Sequence, residues 1–255
     1  MALIRKNLQR VMLTIAVLGL GGPATAQENA TQLMRKANAV MTHYQTLIAN
    51  VDLSIESDGQ TRQRSLRLMT RQDDERRQIM ATFLAPEAVK DAGFSTEVDL
   101  TNNKRKSWVY FPAIGTVRAL QSRNQHDSFF GSDFSYSDIA GRAVIQDRHR
   151  FVEEDDVFYT IESTPTGIDT AYARLVTKIR KADMTVHSVL YFDKQSKPLK
   201  KMTHEQFADF GGVPVVSYSV MENLQTGSRT LLNRANLQVG LILLEEDFGP
   251  EALTN

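Results

Sequence analysis

Five histidines and no cysteine bound the chemistry that this chain could carry. His43, His126, His149, His187 and His204 are scattered without a spacing that would gather them around a metal. The missing cysteine removes thiolate zinc sites, cysteine nucleophiles, iron–sulfur clusters and disulfides together. His204-Glu205 begins like a zinc-protease helix, but the next ligand position holds Ala208. Gly131-Ser132-Asp133 lacks the second glycine of a nucleophile elbow, which leaves Ser128 or Ser132 with His126 as a candidate hydrolase pair. Carboxylates at Asp73-Asp74, Glu153 to Asp156 and Glu245 to Asp247 fall at turns or near the terminus, where solvation accounts for them. No Walker or dinucleotide glycine pattern appears after residue 26. The expectation is a protein that is not an enzyme and uses no cofactor or metal.

What the chain concentrates instead is aromatic surface. Trp108-Val109-Tyr110-Phe111-Pro112 reads as an aromatic strand stopped by proline. Phe129, Phe130, Phe134 and Tyr136 put four aromatics within eight residues, beside glycine, serine and aspartate. Each aromatic can bury ~150–250 Å², so this loop is expected to fold over a core or over the mouth of a sheet. Ser132, Asp133 and Asp138 suit capping and turn bonds. Lys104-Arg105-Lys106 reads as a solvated hairpin tip.

The elements that must position these residues are mostly strands. The 255 residues carry 30 basic and 30 acidic side chains, a neutral balance that gives no support to a nucleic-acid partner. The 24% charged content excludes a polytopic membrane protein, while 42% apolar residues can fill a core. Arg5, Lys6 and Arg10 precede the apolar run Val11 to Leu20, and Ala24-Thr25-Ala26 follows as a small-x-small site. Residues 1–26 are therefore expected to be a signal peptide cleaved after Ala26, which sends the protein to the periplasm. Residues 27–255 are expected to form a single domain, for no composition break or repeat divides them.

From Asn29 onward Leu33, Ala37, Val40, Met41, Tyr44, Leu47 and Ile48 recur at helical spacing, with Asn29 or Thr31 as cap. After Ala49 the period becomes two: Val51, Leu53 and Ile55 alternate with polar residues, and Asp58-Gly59 signals a tight hairpin. Similar alternation recurs to Val239, giving roughly ten to twelve strands joined by short polar turns. The fold class is mainly β. So many antiparallel strands in one sheet must curl, and the sheet then either closes or needs a cover, for which the early helix is available.

Three stretches carry a resemblance to a known family: Thr82-Phe83-Leu84-Ala85-Pro86 with Gly93-Phe94; Trp108 to Ala113 running on to Val117-Arg118; and, most specific, Phe130 to Ile139. Asp193, Lys197, Lys200 and Thr230 add to it. The chain resembles the LolA-like outer-membrane lipoprotein-sorting family, in the broad branch that includes a treponemal lipoprotein antigen, from about Asn29 to Phe248. The resemblance implies an open, strongly curved antiparallel sheet, an incomplete β-barrel, with an N-terminal helix and a lid segment at its mouth. It also implies a periplasmic carrier whose partners are lipid or the acyl chains of lipoproteins, with an inner-membrane transporter as donor and an outer-membrane acceptor. A monomer is expected. On this reading Trp108, Tyr110, Phe129, Phe130, Phe134 and Tyr136 line the lid or the cavity. Two other readings compete: an accessory of an inner-membrane exporter of lipid or hydrophobic compounds, and an envelope structural protein with a filled barrel.

Overall fold

The computed structural model describes residues 23–102, 104–167 and 170–254. The expected signal peptide lies outside the described residues except for its last four positions, which open helix α1 (Pro23–Met41). Proline is suited to that opening because the first N–H groups of a helix have no internal partner. The helix ends earlier than the apolar spacing predicts. Gln45 adopts φ +55°, which breaks the helical path, and Leu47 and Ile48 belong to the first strand instead. Their three-and-four spacing from Val40 and Tyr44 is a coincidence of two periods.

Six strands follow: β1 (Thr46–Ser57), β2 (Gln60–Gln72), β3 (Arg76–Ala85), β4 (Gly93–Asp99), β5 (Arg105–Phe111) and β6 (Thr116–Ala119). A long connection leads to β7 (Asp147–Glu154), β8 (Phe158–Pro165), β9 (Arg174–Arg180), β10 (Val186–Phe192), β11 (Pro198–Phe210), β12 (Val213–Asn223) and β13 (Arg229–Val239). All thirteen form one antiparallel sheet in the order β6-β5-β4-β3-β2-β1-β13-β12-β11-β10-β9-β8-β7. The first and last strands therefore meet at the centre, where Leu53 faces Leu232 across β1 and β13. The β1–β2 hairpin turns on Asp58 (φ +52°) and Gly59 (φ +71°), as the Asp-Gly pair predicts.

Strands β6 and β7 are the two edges, and they do not pair, so the barrel is incomplete. The chain between them crosses the mouth, with a 3₁₀ turn at Ser122–His126, the short helix α2 (Tyr136–Ala140) and another 3₁₀ turn at Val144–Gln146. This is the lid. Alternation places Val51, Leu53, Leu66, Phe83 and Phe94 on the concave face, where they pack with Phe129, Phe134 and Tyr136 from the lid. Helix α1 covers the other side of the same face by laying Ala30, Leu33 and Ala37 on Ile161 and Ile179.

The convex face of β3–β5 is covered as well. The segment after β13 runs back across it, burying Phe248 and Leu253 against Met80, Trp108 and Tyr110. Gly93 lets that segment approach closely, since a Cβ at that position would lie 2.6 Å from Leu253 Cδ2.

Candidate functional site

A cavity of about 360 Å³ lies between the concave face, α1 and the lid. That is within the range of small-ligand cavities, roughly 300–1,000 Å³. Its walls are largely aliphatic: Leu47, Val51, Leu53, Leu66 and Leu68 from β1 and β2, Met34, Ala37 and Met41 from α1, and Val186, Val189 and Met202 from β10 and β11. Each strand contributes alternate residues because period-two side chains share a face.

The lid supplies Phe129, Phe134 and Ile139 to the cavity. Phe129 and Phe134 are buried, and both were expected there from the sequence. Phe130 and Tyr136 anchor the lid instead. The Phe130 ring centroid is 4.1 Å from that of Phe83 and 5.4 Å from that of Phe111, and Tyr136 lies 5.1 Å from Phe94. Trp108 and Tyr110 are not brought to the cavity, which corrects the sequence expectation. They point to the convex side beneath the C-terminal segment, while Val109 between them joins the inner core. Among the six residues, then, two face the cavity, two hold the lid and two lie behind the sheet.

The lid is fastened by polar bonds that its sequence motif supplies. The Asp133 carboxylate accepts from Ser228 Oγ (2.5 Å) and Thr230 Oγ1 (2.7 Å) at the start of β13. Asp138 accepts from Lys200 Nζ (2.5 Å) and from the Tyr172 hydroxyl (2.8 Å), and it completes a capping box with Ser135 at the head of α2. Burial, then the neighbouring Asp138, push Tyr172 well above the ordinary tyrosine range, so it remains a donor. Lys200 also donates to the Asp133 carbonyl at 3.1 Å. At the far end of the lid Arg105 donates to the Gly141 carbonyl and to Gln125 Oε1, each at 3.0 Å. Arg105 is therefore no solvated hairpin tip. Burial first, then Arg142 and Arg77, push it down to about 10.

The β7–β12 half of the cavity is more polar. His149 Nδ1 lies 2.8 Å from Ser163 Oγ, and Nε2 lies 2.8 Å from the Val144 carbonyl. His204 Nδ1 lies 2.8 Å from Ser219 Oγ, and burial, helped by Arg234 and His187, pushes His204 down to about 3. Among the described residues no three His, Asp or Glu side chains gather as a metal site. The hydrolase pair is not assembled either. Ser128 Oγ donates to the Ser132 carbonyl, Ser132 Oγ donates to the Phe129 carbonyl, and His126 Nδ1 lies 3.4 Å from Ser137 Oγ.

Sequence reasoning missed Arg77, Tyr172 and Arg234, and it noted Lys200 and Thr230 only through resemblance. Parity was the available signal: Arg234 shares a face with Leu232, and Lys200 with Met202.

Comparison with solved structures gives the same architecture. A domain named for outer-membrane lipoprotein sorting, from Vibrio parahaemolyticus, superposes with a TM-score of 0.85 at 22% identity, covering 90% of this chain and 100% of that one. A DUF1329 family protein from Desulfovibrio piger gives 0.84 at 24% identity, over 89% of this chain and 99% of that one. A LolA superfamily protein from Nitrosomonas europaea gives 0.71 at 15% identity, over 88% and 98%. No curated protein matches the sequence. A family model described as "Uncharacterized protein" matches residues 75–255. The chain belongs to the family that this model describes, and it shares the fold of the DUF1329 and LolA superfamily structures.

Proposed function

We propose that the protein is a periplasmic carrier that takes up lipid, or the acyl chains of lipoproteins, in the covered cavity for transfer toward the outer membrane. The observation that carries this reading is the aliphatic cavity of about 360 Å³ beneath a lid held by polar bonds and aromatic contacts. Exposing a long acyl chain to water costs on the order of 10 kcal/mol at ~0.8 kcal/mol per methylene, and an aliphatic wall offsets that cost. Release of the lid would leave the sheet intact, because its polar ties run from one segment to side chains on β3, β5, β11 and β13 and not between strands. The partners on this reading are an inner-membrane donor and an outer-membrane acceptor, met by a monomer. No helix among the described residues is long and apolar enough to cross a membrane.

Native mass spectrometry of protein isolated from periplasm without detergent tests the proposal. A discrete added mass that yields fatty acyl chains on extraction is the expected result. An unliganded mass, with no later uptake of an alkyl probe, sinks the carrier and leaves an envelope protein with a filled barrel.

A further inference from the structure

The charged groups of the cavity do not balance. Its lining includes the carboxylates Asp138 and Asp147 and the guanidinium groups Arg77, Arg142 and Arg234. Asp138 is taken by Lys200, and Asp147 by Arg142. Arg77 and Arg234 are left with no carboxylate partner among the described residues.

Neither arginine is well satisfied by neutral groups. Arg234 donates from Nη1 to the Val216 carbonyl at 3.0 Å, while its Nε is buried without any partner. Arg77 is 9% exposed and donates from Nε to Gln72 Oε1 at 2.6 Å. Its Nη1 reaches the Ala140 carbonyl only at 3.4 Å, long for a charged donor. Each guanidinium offers five N–H donors, so most of this capacity is unspent. Burial lowers both pKa values, and Tyr44, which also lines the cavity, is the titratable group that opposes the shift at each. A buried cation without a counter-charge is costly, and the planar fork of arginine matches two oxygens of a carboxylate or phosphate.

We infer that Arg77 and Arg234, with Tyr44, form the head-group end of the cavity and hold the anionic oxygens of an amphiphile whose chain lies along the aliphatic wall. This rests on the carrier reading and narrows it to cargo with a carboxylate or phosphate head. The anion takes the place of the weak Arg77–Ala140 contact, so the end of α2 is freed as cargo enters.

Displacement of bound N-phenylnaphthylamine, a neutral probe, by palmitate, hexadecyl phosphate and uncharged hexadecanol separates the possibilities. The wild-type protein should bind at least one anionic amphiphile ~10-fold or more tighter than hexadecanol. Whichever of the two anions binds tighter names the head group. Arg77→Gln and Arg234→Gln together should reduce that preference to within ~2-fold, with an unchanged circular dichroism spectrum showing that the variant is folded, and a retained preference in the folded variant overturns the assignment. Arg234→Lys, which keeps the charge and loses the fork, should fall between. Equal affinity of the wild-type protein for charged and uncharged chains overturns this inference and leaves the carrier intact. Failure of every chain to bind overturns the carrier itself.

Discussion

Lys200 Nζ and the Asp138 carboxylate lie 2.5 Å apart, with side chains only 7% and 5% exposed, and they join β11 to the lid across 62 residues of sequence. Buried in this way, each partner depends on the other. Tyr172, Ser135 and the Asp133 carbonyl satisfy the remaining valences around the pair. The Asp138 carboxylate therefore both ties the lid to β11 and completes the capping box of α2.

Removing one partner strands the other. Lys200→Met is expected to destabilise the protein by about 3–5 kcal/mol, the usual consequence of leaving a buried charge unpaired. Lys200→Met with Asp138→Leu should cost less than the single change. Urea titrations of the three proteins measure this, and a double variant weaker than Lys200→Met would show that the pair is not the main tie.

Gly141 closes α2 at φ +72° and ψ 168°, a region that side chains avoid, and a Cβ there would lie 2.3 Å from Arg77 Nη1. Gly141→Ala should cost about 1–3 kcal/mol and displace the guanidinium. Hydrogen exchange should rise at residues 136–141 more than in the strands; uniform protection would contradict the close approach.

Val51 is buried on β1 and faces the cavity. Val51→Phe places a ring in the open space and should weaken alkyl-probe binding by about tenfold, with stability changed by less than the ~1–3 kcal/mol typical of an overfilled core. Unaltered binding would move the ligand elsewhere.

His204 makes stability depend on pH. Burial holds its pKa in the fold at about 3, below the ordinary histidine value of 6.5, so between these values the unfolded chain binds a proton that the native chain does not. Its contribution is present above about pH 6.5 and is lost as pH falls toward 3. His204→Gln should flatten the loss between about pH 7 and about pH 4 by on the order of 3 kcal/mol. Parallel denaturant curves for the two proteins across that window would show that His204 is protonated freely in the fold.

Much of the architecture follows from sequence alone. Alternation at Val51, Leu53 and Ile55, the Asp-Gly hairpin at Asp58-Gly59 and the density of short strands specify a curled antiparallel sheet, because a period of two leaves one face apolar. Aromatic content alone marked Phe129 to Tyr136 as a cover, since such a loop has to bury its rings. Strand parity, however, says which residues share a face and not which face is inside. Trp108 and Tyr110 share one side of β5 and Val109 takes the other, and both sides are apolar because the C-terminal segment covers the convex surface. Only the tertiary structure could assign them. Arginine on a strand reads as solvated, yet Arg77, Arg105 and Arg234 turn inward, held by carbonyls and by Gln72 and Gln125. The lid brings Ala140, Gly141 and Gln125 to Arg77 and Arg105 as it closes over the sheet, while strand pairing brings Val216 to Arg234, and no local sequence pattern encodes either arrangement.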